Sequence, residues 1–464
     1  MRRWRPELLA LIALAALTRF WNLPWPDAVV FDEALYEDYI RHYFSGTYYF
    51  NVHPPVGKLL LAAAAWVLGI SEATLAAPDP APALRMLPAL AGTLIVPVFW
   101  LLLRQLGANR RVAALGAFLL LADNALLTVS RFILIDSMLI LFMLGAVCAY
   151  LASRTRAGTS RWSLLAVSAL LAGLAAGSKW TGLSALAIVL LLWLQQVFAV
   201  RGARRELAAE ALLLAAGSAA VYVGAFAVHF ALLPNTGTGD SLMSTAFQET
   251  LAGSPTYRAD ARVSFPDAFL DLHRVMRKTN ADLVAATHPG ASPWWSWPVL
   301  KRPLYVWSGE RSPDGRAGHV LIEGNPVLWW AILVALGVLA ATAARARHLL
   351  APRRDALLLL LAAYLINYLP FAFVNRILFL YSYLPALIFS LALAVVGIGS
   401  LAGWMDADDD RFWQFPARRS AAFYAGVAAL TFAAFLYFSP ISYGTPITER
   451  AFKQRMWLLE RHVP

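Results

Sequence analysis

The chain has 464 residues, 59% of them hydrophobic, and a formal net charge of +11 at pH 7. Its mean hydropathy of +0.58 excludes a soluble domain and is typical of an integral membrane protein. The basic residues stand mostly in short loops between apolar segments, as the positive-inside rule produces without a ligand, so we expect no nucleic-acid partner. The single cysteine, Cys148, excludes an internal disulfide.

Apolar segments of about 17 to 25 residues recur along the chain, each long enough to cross roughly 30 Å of hydrocarbon. They predict an all-α polytopic membrane protein with about eleven transmembrane helices and external amphipathic helices. The shorter apolar segment 56–70 is predicted to lie in or dip into the outer leaflet. The predicted spans are 7–23, 86–104, 112–129, 132–152, 162–178, 181–200, 207–233, 326–344, 355–374, 377–400 and 420–438.

The distribution of arginines predicts the orientation. With a cytoplasmic N-terminus, each cytoplasmic loop carries three or four arginines, as in 345–354, whereas each short loop on the other side holds one basic residue. The C-terminal tail then lies outside the cytoplasm. The chain divides into an N-terminal transmembrane catalytic module at 1–233 with a first external loop at 24–85, an external cap at 234–325, and a C-terminal transmembrane module at 326–464.

The first external loop carries the densest group of reactive residues. Adjacent carboxylates, Asp32 and Glu33, precede a tyrosine-rich segment and the turn His53-Pro54-Pro55, which Lys58 follows. In a helix, successive side chains diverge by about 100°, so one carboxylate can face a substrate while a cation holds the other. The prolines allow a helix to begin after His53, where backbone N–H groups favour an anion such as phosphate.

Further charged residues are predicted at the same external face: Arg19, Arg85, Arg131, Asp136, Lys179 and Arg376. Ionisable groups at a membrane edge are costly and mark function by default. Arg85 and Arg376 begin spans, where they either snorkel to lipid headgroups or face one cavity and bind phosphate, and Lys179 is interpreted in the same way. Asp136 needs a partner, for which Arg131 is the candidate.

The histidines are scattered without the spacing of a zinc or two-metal site, so no metal ligands are predicted. The requirement for a divalent cation is left open. There is also no Walker loop and no glycine-rich dinucleotide turn, so the sequence does not indicate cytoplasmic ATP as an energy source.

A series of motifs runs along the chain. The first two are Val30-Phe31-Asp32-Glu33 and the segment from Tyr48 to Lys58 that contains the His-Pro-Pro turn. Further motifs follow at 83–89, 130–138, 177–182, 295–298 and 324–330. In sequence and in order, these motifs resemble those of the protein O-mannosyltransferase family, integral-membrane glycosyltransferases of the GT-C class. The resemblance covers nearly the whole chain.

The resemblance implies the GT-C fold and inverting transfer of mannose from polyprenyl-phosphate-mannose to a Ser or Thr hydroxyl of an exported protein. By matching position, Asp32 would be the general base and Glu33 would support its geometry, with Arg19 bracing the acidic pair. The residues that would hold the donor phosphate are His53, Arg85 and Arg376, and Lys179 is predicted to join them from its charge at the same face. The residues that would support the site are Arg19, Lys58, Arg131 and Asp136.

Two features depart from the family pattern. The loop 234–325 is too short for the β-trefoil repeat domain of the eukaryotic enzymes, which implies a bacterial form with a periplasmic external face. Asn51 stands where an acidic residue is usual. The implied partners are the lipid-linked donor, exported protein acceptors, membrane lipids and the secretion machinery, and the implied location is the cell (inner or plasma) membrane.

Two alternatives remain open. Another GT-C enzyme would transfer a sugar or aminosugar to a lipid or cell-wall glycolipid, and its acceptor cleft would open to the bilayer. A transporter or flippase would place its charges near the membrane midplane, on interrupted helices related by an internal repeat.

Overall fold

The computed structural model describes residues 5–76, 82–199, 204–282, 287–405 and 411–456. The start of the predicted cytoplasmic N-terminus, part of the arginine loop 201–205 and the end of the predicted external tail lie outside the described residues.

The described part of the chain is mainly helical. Its helices are α1 (Pro6–Phe20), α2 (Glu33–Ser45), α3 (Val56–Val67), α4 (Glu72–Ala76), α5 (Met86–Gln105), α6 (Arg110–Leu121), α7 (Asn124–Val129), α8 (Asp136–Ser153), α9 (Gly158–Ser178), α10 (Leu183–Ala199), α11 (Arg204–Leu232), α12 (Thr245–Gln248), α13 (Phe265–Asp282), α14 (Pro326–Arg345), α15 (Arg354–Tyr368), α16 (Leu384–Leu401), α17 (Arg418–Tyr443) and α18 (Glu449–Lys453). Its strands are β1 (Leu304–Ser308), β2 (Arg316–Ala317), β3 (His319–Ile322) and β4 (Ile447–Thr448).

Among the described residues, nine helices are long and apolar enough to cross a membrane, and each coincides with a predicted span. The remaining two predictions are met differently. The span at 7–23 corresponds to α1, which has 15 residues. The span at 112–129 is divided into α6 and α7, because Asp123 interrupts the helix and its Oδ1 accepts a hydrogen bond from the Leu126 backbone N–H at 2.9 Å.

The apolar segment after the His-Pro-Pro turn forms α3, a helix of 12 residues. At 1.5 Å per residue this helix is about 18 Å long, too short to cross the hydrocarbon layer. Gly57 permits its close approach to the turn before α8, since a Cβ at this position would lie 2.6 Å from the Ile135 side chain. The depth of α3 in the bilayer stays a prediction.

The segment 234–325, which is predicted to form an external cap, is not wholly helical. β1 pairs antiparallel with β3, and β2 pairs antiparallel with β4 near the C-terminus, which the all-α prediction did not include. Strands this short leave too few residues for an alternating pattern to be detected. The cap also attaches to the first external loop, where the backbone N–H of Tyr48 donates to the Asn235 carbonyl at 2.8 Å.

The last long helix closes the bundle against the first. The Tyr443 hydroxyl, at the end of α17, donates to the Thr18 carbonyl in α1 at 2.7 Å. The Trp25 indole N–H donates to the Gly444 carbonyl at 3.0 Å. These contacts fix the start of the first external loop, which leads directly to Asp32 and Glu33.

Candidate active site

Asp32 lies immediately before α2, and its side chain lines a cavity of about 180 Å³. Within the described ranges, its carboxylate makes no hydrogen bond or ion pair. Burial raises the pKa of Asp32, and the nearby Lys179 ammonium partly opposes this rise. A partly desolvated carboxylate without a fixed partner is suited to accept a proton.

Glu33, by contrast, is fully occupied by protein donors. The Arg85 guanidinium donates from Nε to Oε1 and from Nη2 to Oε2, both at 2.8 Å. The backbone N–H groups of Val30 and Ile133 also donate to this carboxylate, at 2.8 and 3.0 Å. A buried carboxylate with four donors joins three separate segments and has no acceptor capacity left for a substrate.

The structure corrects two predictions about arginines. Arg85 was predicted to hold donor phosphate, but it is completely buried and its remaining N–H groups donate to the carbonyls of Leu23, Pro24, Pro26 and Ala28. It therefore has no free donor for a ligand. Arg19 was predicted to brace the acidic pair, yet its Nη1 donates to the Thr18 hydroxyl and the Leu121 carbonyl, and Arg85 supplies the brace.

The partner predicted for Asp136 is also wrong. Both carboxylate oxygens of Asp136 accept from the Lys179 ammonium, at 2.8 and 2.9 Å. Arg131 instead donates to the carbonyls of Arg19, Trp21 and Asn22, so it fixes the end of α1. The physical reason is that α8 begins at Asp136 and packs along α9, whose C-terminal end presents Lys179.

The His-Pro-Pro turn is held from inside by Lys58. Its ammonium donates to the carbonyls of His53 and Pro54, at 2.6 and 3.0 Å, and to Asn51 Oδ1 at 3.1 Å. The same Asn51 oxygen accepts from the His53 backbone N–H at 2.8 Å, while the amide group donates to the Tyr39 hydroxyl at 2.6 Å. The unusual asparagine thus has a defined role, since an amide both accepts and donates here.

His53 lines the same cavity as Asp32. Burial lowers the pKa of His53 well below its ordinary value, and the positive charges of Lys179, Lys58 and Arg376 lower it further. The imidazole is therefore neutral near pH 7, and it offers a hydrogen bond and no positive charge.

A second cavity, of about 110 Å³, adjoins the first and shares His53, Asp136 and Lys179 as lining residues. Its far side is formed by Arg376, in the loop before α16. Burial lowers the pKa of Arg376, but a guanidinium starting from so high a value stays charged at neutral pH. The two cavities form one cleft, hereafter the acid–base cleft, with Asp32 at one end and Arg376 at the other.

The cleft also contains residues that the sequence analysis missed. Tyr381 lines both cavities, and its ring centre lies 5.0 Å from the Lys179 ammonium nitrogen. Tyr36 lines the Asp32 end, and Asn280, near the end of α13, lines the Arg376 end. The position of Tyr381 five residues after Arg376 was the available signal. Asn280 extends the four-residue spacing of Ala268, Leu272 and Met276 on the buried face of α13, and that spacing was its available signal.

The described residues contain no group of three or more His, Cys, Asp or Glu side chains placed to hold a metal ion.

The charged residues that were predicted at one face do gather there in two layers. The cleft layer is Asp32, His53, Asp136, Lys179 and Arg376. The layer buried behind it is Arg19, Glu33, Lys58, Arg85 and Arg131.

The fold places the chain in the class of GT-C membrane folds. A solved structure of the S. cerevisiae protein O-mannosyltransferase Pmt1-Pmt2 complex bound to the sugar donor superposes with a TM-score of 0.86 at 19% identity, covering 100% of this chain and 94% of that chain. ArnT from Cupriavidus metallidurans bound to undecaprenyl phosphate has a TM-score of 0.54 at 16% identity, covering 93% and 70% of the two chains.

The chain belongs to the protein O-mannosyltransferase family. The family model for dolichyl-phosphate-mannose-protein mannosyltransferase matches residues 9–234, and the model for the C-terminal four TMM region of protein-O-mannosyltransferase matches residues 265–461. Protein O-mannosyltransferase 1 of Drosophila pseudoobscura pseudoobscura is 39% identical over 52% of this chain and 29% of its own. Protein O-mannosyl-transferase 1 of Rattus norvegicus is 35% identical over 53% and 36%. The matches span about a third of these relatives.

Proposed function

We propose that the protein transfers mannose from polyprenyl-phosphate-mannose to Ser or Thr hydroxyls of exported proteins, with inversion at the anomeric carbon. The observation that carries this proposal is the acid–base cleft, in which an unpaired carboxylate and a guanidinium stand at different ends. Family membership supports the same activity. So does the GT-C fold, because the superposing S. cerevisiae structure is described as bound to the sugar donor.

In this mechanism Asp32 accepts the proton of the acceptor hydroxyl. The hydroxyl oxygen forms a bond to the anomeric carbon, while the bond from that carbon to the phosphate oxygen breaks and its electron pair leaves with the phosphate. Arg376 balances the charge that develops on the leaving group. Inversion follows because the base and the leaving group stand on opposite sides of the reacting carbon.

Lys179 and His53 complete the phosphate end of the cleft. Two of the three ammonium N–H donors of Lys179 serve Asp136, which leaves one for a phosphate oxygen. The neutral imidazole of His53 contributes a hydrogen bond. Asp136 therefore acts as a positioning residue that keeps the ammonium at the cleft wall.

We further propose that the protein lies in the cell (inner or plasma) membrane with its N-terminus in the cytoplasm and its cleft and C-terminus outside. The arginine loops support this orientation. Nucleotide sugars stay in the cytoplasm, so an external site needs a sugar already attached to a membrane-soluble phosphate. Exported acceptors then arrive from the water, next to the secretion machinery, and in a bacterial form the external compartment is the periplasm.

The test is a transfer assay with membranes containing the full chain, polyprenyl-phosphate-mannose and a Ser/Thr-rich peptide. Asp32→Asn is expected to lower the rate by about two to four orders of magnitude, as removal of a general base does. Asp27→Asn, an exposed carboxylate in the same loop, is the matched control and should keep wild-type activity. A fully active Asp32→Asn variant removes the base assignment, and mannose found on lipid in place of peptide favours a lipid acceptor. Parallel assays with EDTA or added Mg²⁺ test for a divalent cation.

A further inference from the structure

A large cavity lies at the opposite end of α15 from the acid–base cleft. It has a volume of about 750 Å³ and runs between α14 and α15, with Leu393 of α16 as its floor. Its walls are almost entirely Leu and Ala side chains, and Leu358 and Ala343 on these walls are exposed. We call it the α14–α15 groove. In a membrane, a groove of this composition faces acyl chains.

The open end of the groove is basic. Arg347, His348 and Arg354 line it, and within the residues that the structure covers none of their side chains makes an ion pair or hydrogen bond. The connecting segment 345–355 contains four arginines and one acidic residue, Asp355. A bundle that needed arginines only for its orientation would not have to place two of them at the mouth of an apolar groove.

The dimensions of the groove match one leaflet of a bilayer. From Arg354 at the mouth to Tyr364 at the inner end, ten residues of α15 rise about 15 Å. This length is about half of the roughly 30 Å hydrocarbon core. An acyl chain that entered at the mouth would therefore fill the groove and end near the bilayer midplane.

We propose that the α14–α15 groove binds an anionic phospholipid of the cytoplasmic leaflet, with its phosphate between Arg347 and Arg354 and an acyl chain along Leu339, Leu357 and Leu361. Guanidinium groups at the mouth complement a phosphodiester, and a neutral zwitterionic headgroup would leave them unbalanced. This inference does not depend on the transferase activity.

The tail of the lipid-linked donor fits this groove less well. Phe371, just beyond the end of α15, lines the acid–base cleft, whereas Arg354 begins the same helix. The two sites therefore lie at opposite ends of α15. A donor with its phosphate in the cleft would bring only hydrocarbon to the groove and would leave the basic mouth without an anion.

The experiment follows the thermal unfolding of the full chain in detergent during titration with phosphatidylglycerol or phosphatidylcholine. Phosphatidylglycerol is expected to raise the melting temperature, and phosphatidylcholine is not. Arg347→Gln combined with Arg354→Gln should raise the half-saturating concentration roughly thirtyfold, because each basic group near an anionic lipid contributes about a factor of five. Arg345→Gln combined with Arg353→Gln removes the same charge from the same segment outside the groove, and should shift that concentration by about threefold at most.

A second variant, Ala343→Trp, fills the groove without changing charge and should abolish the rise in melting temperature with phosphatidylglycerol. Equal weakening by both double variants, or equal stabilisation by both lipids, would overturn the proposal. Competition by polyprenyl phosphate would assign the groove to the donor tail. A dimer that Ala343→Trp dissociates would assign it to a second copy of the chain.

Discussion

The ion pair between Glu33 and Arg85 allows a test of whether Glu33 has a structural role or a catalytic one. Both side chains are almost inaccessible, at 1% and 0% exposure, and the guanidinium donates two hydrogen bonds to the carboxylate, each at 2.8 Å. Glu33→Gln removes the negative charge and leaves the guanidinium buried without its counter-ion. Loss of one partner of a buried pair costs about 3–5 kcal/mol, so we expect the free energy of unfolding to fall by that amount. Arg85→Met should have a similar effect.

The assay combines unfolding of the full chain by titration with SDS and the mannosyl transfer rate of the same preparations. The double variant Glu33→Gln, Arg85→Met should destabilise the protein by much less than the sum of the two single changes, because both remove the same interaction. Asp32→Asn is the neighbouring control and should retain wild-type stability while losing transfer. If Glu33→Gln keeps full stability but has no activity, Glu33 takes part in the reaction and the structural assignment is refuted.

Three further predictions concern the cleft and the His-Pro-Pro turn beside it. Burial raises the pKa of Asp32, and protonation at a pH below that pKa removes the base, so the transfer rate should fall in mild acid, above the pH range where an ordinary aspartate titrates. Lys179→Met should move this fall in rate to still higher pH, because the ammonium holds the pKa of Asp32 down. A pH–rate profile of both proteins measures the two effects. Arg376→Gln should raise KM for the donor about tenfold or more while unfolding stays unchanged, and an unaltered KM would contradict its phosphate role. Lys58→Met should lower the transfer rate by roughly tenfold and make the 51–54 turn susceptible to proteolysis, whereas retained protection would show that the turn holds its shape without the ammonium.

The sequence predicted the membrane spans well because hydropathy over a long window averages out local detail. All nine apolar helices of membrane-spanning length in the described residues fall on predicted spans. The break at Asp123 was not predicted, since one aspartate among apolar residues does not reveal that it caps a new helix. The approach of charged residues to one face also followed from the sequence, because alternating loops fix which end of each helix faces which side.

The pairing of those charges could not be predicted. Arg85 lies 52 residues from Glu33, and several other arginines were equally available by charge alone. The choice depends on which guanidinium reaches the carboxylate with two parallel N–H groups after the helices pack. Lys179 pairs with Asp136 because the packing of α8 on α9 brings its ammonium to that carboxylate. The family resemblance favoured Arg19 and proximity in sequence favoured Arg131, but both donate to backbone carbonyls.

The closure of α17 on α1 has a consequence for biosynthesis. The contacts from Trp25 to Gly444 and from Tyr443 to Thr18 join residues 419 and 425 positions apart. Because the ribosome makes the chain from its N-terminus, the segment that leads to Asp32 can form these two contacts only after nearly every later helix has been inserted. A polypeptide whose synthesis stops before Tyr443 would therefore keep the hydrogen bonds from Arg85 and Arg131 to this segment but lack the two that join it to the end of α17.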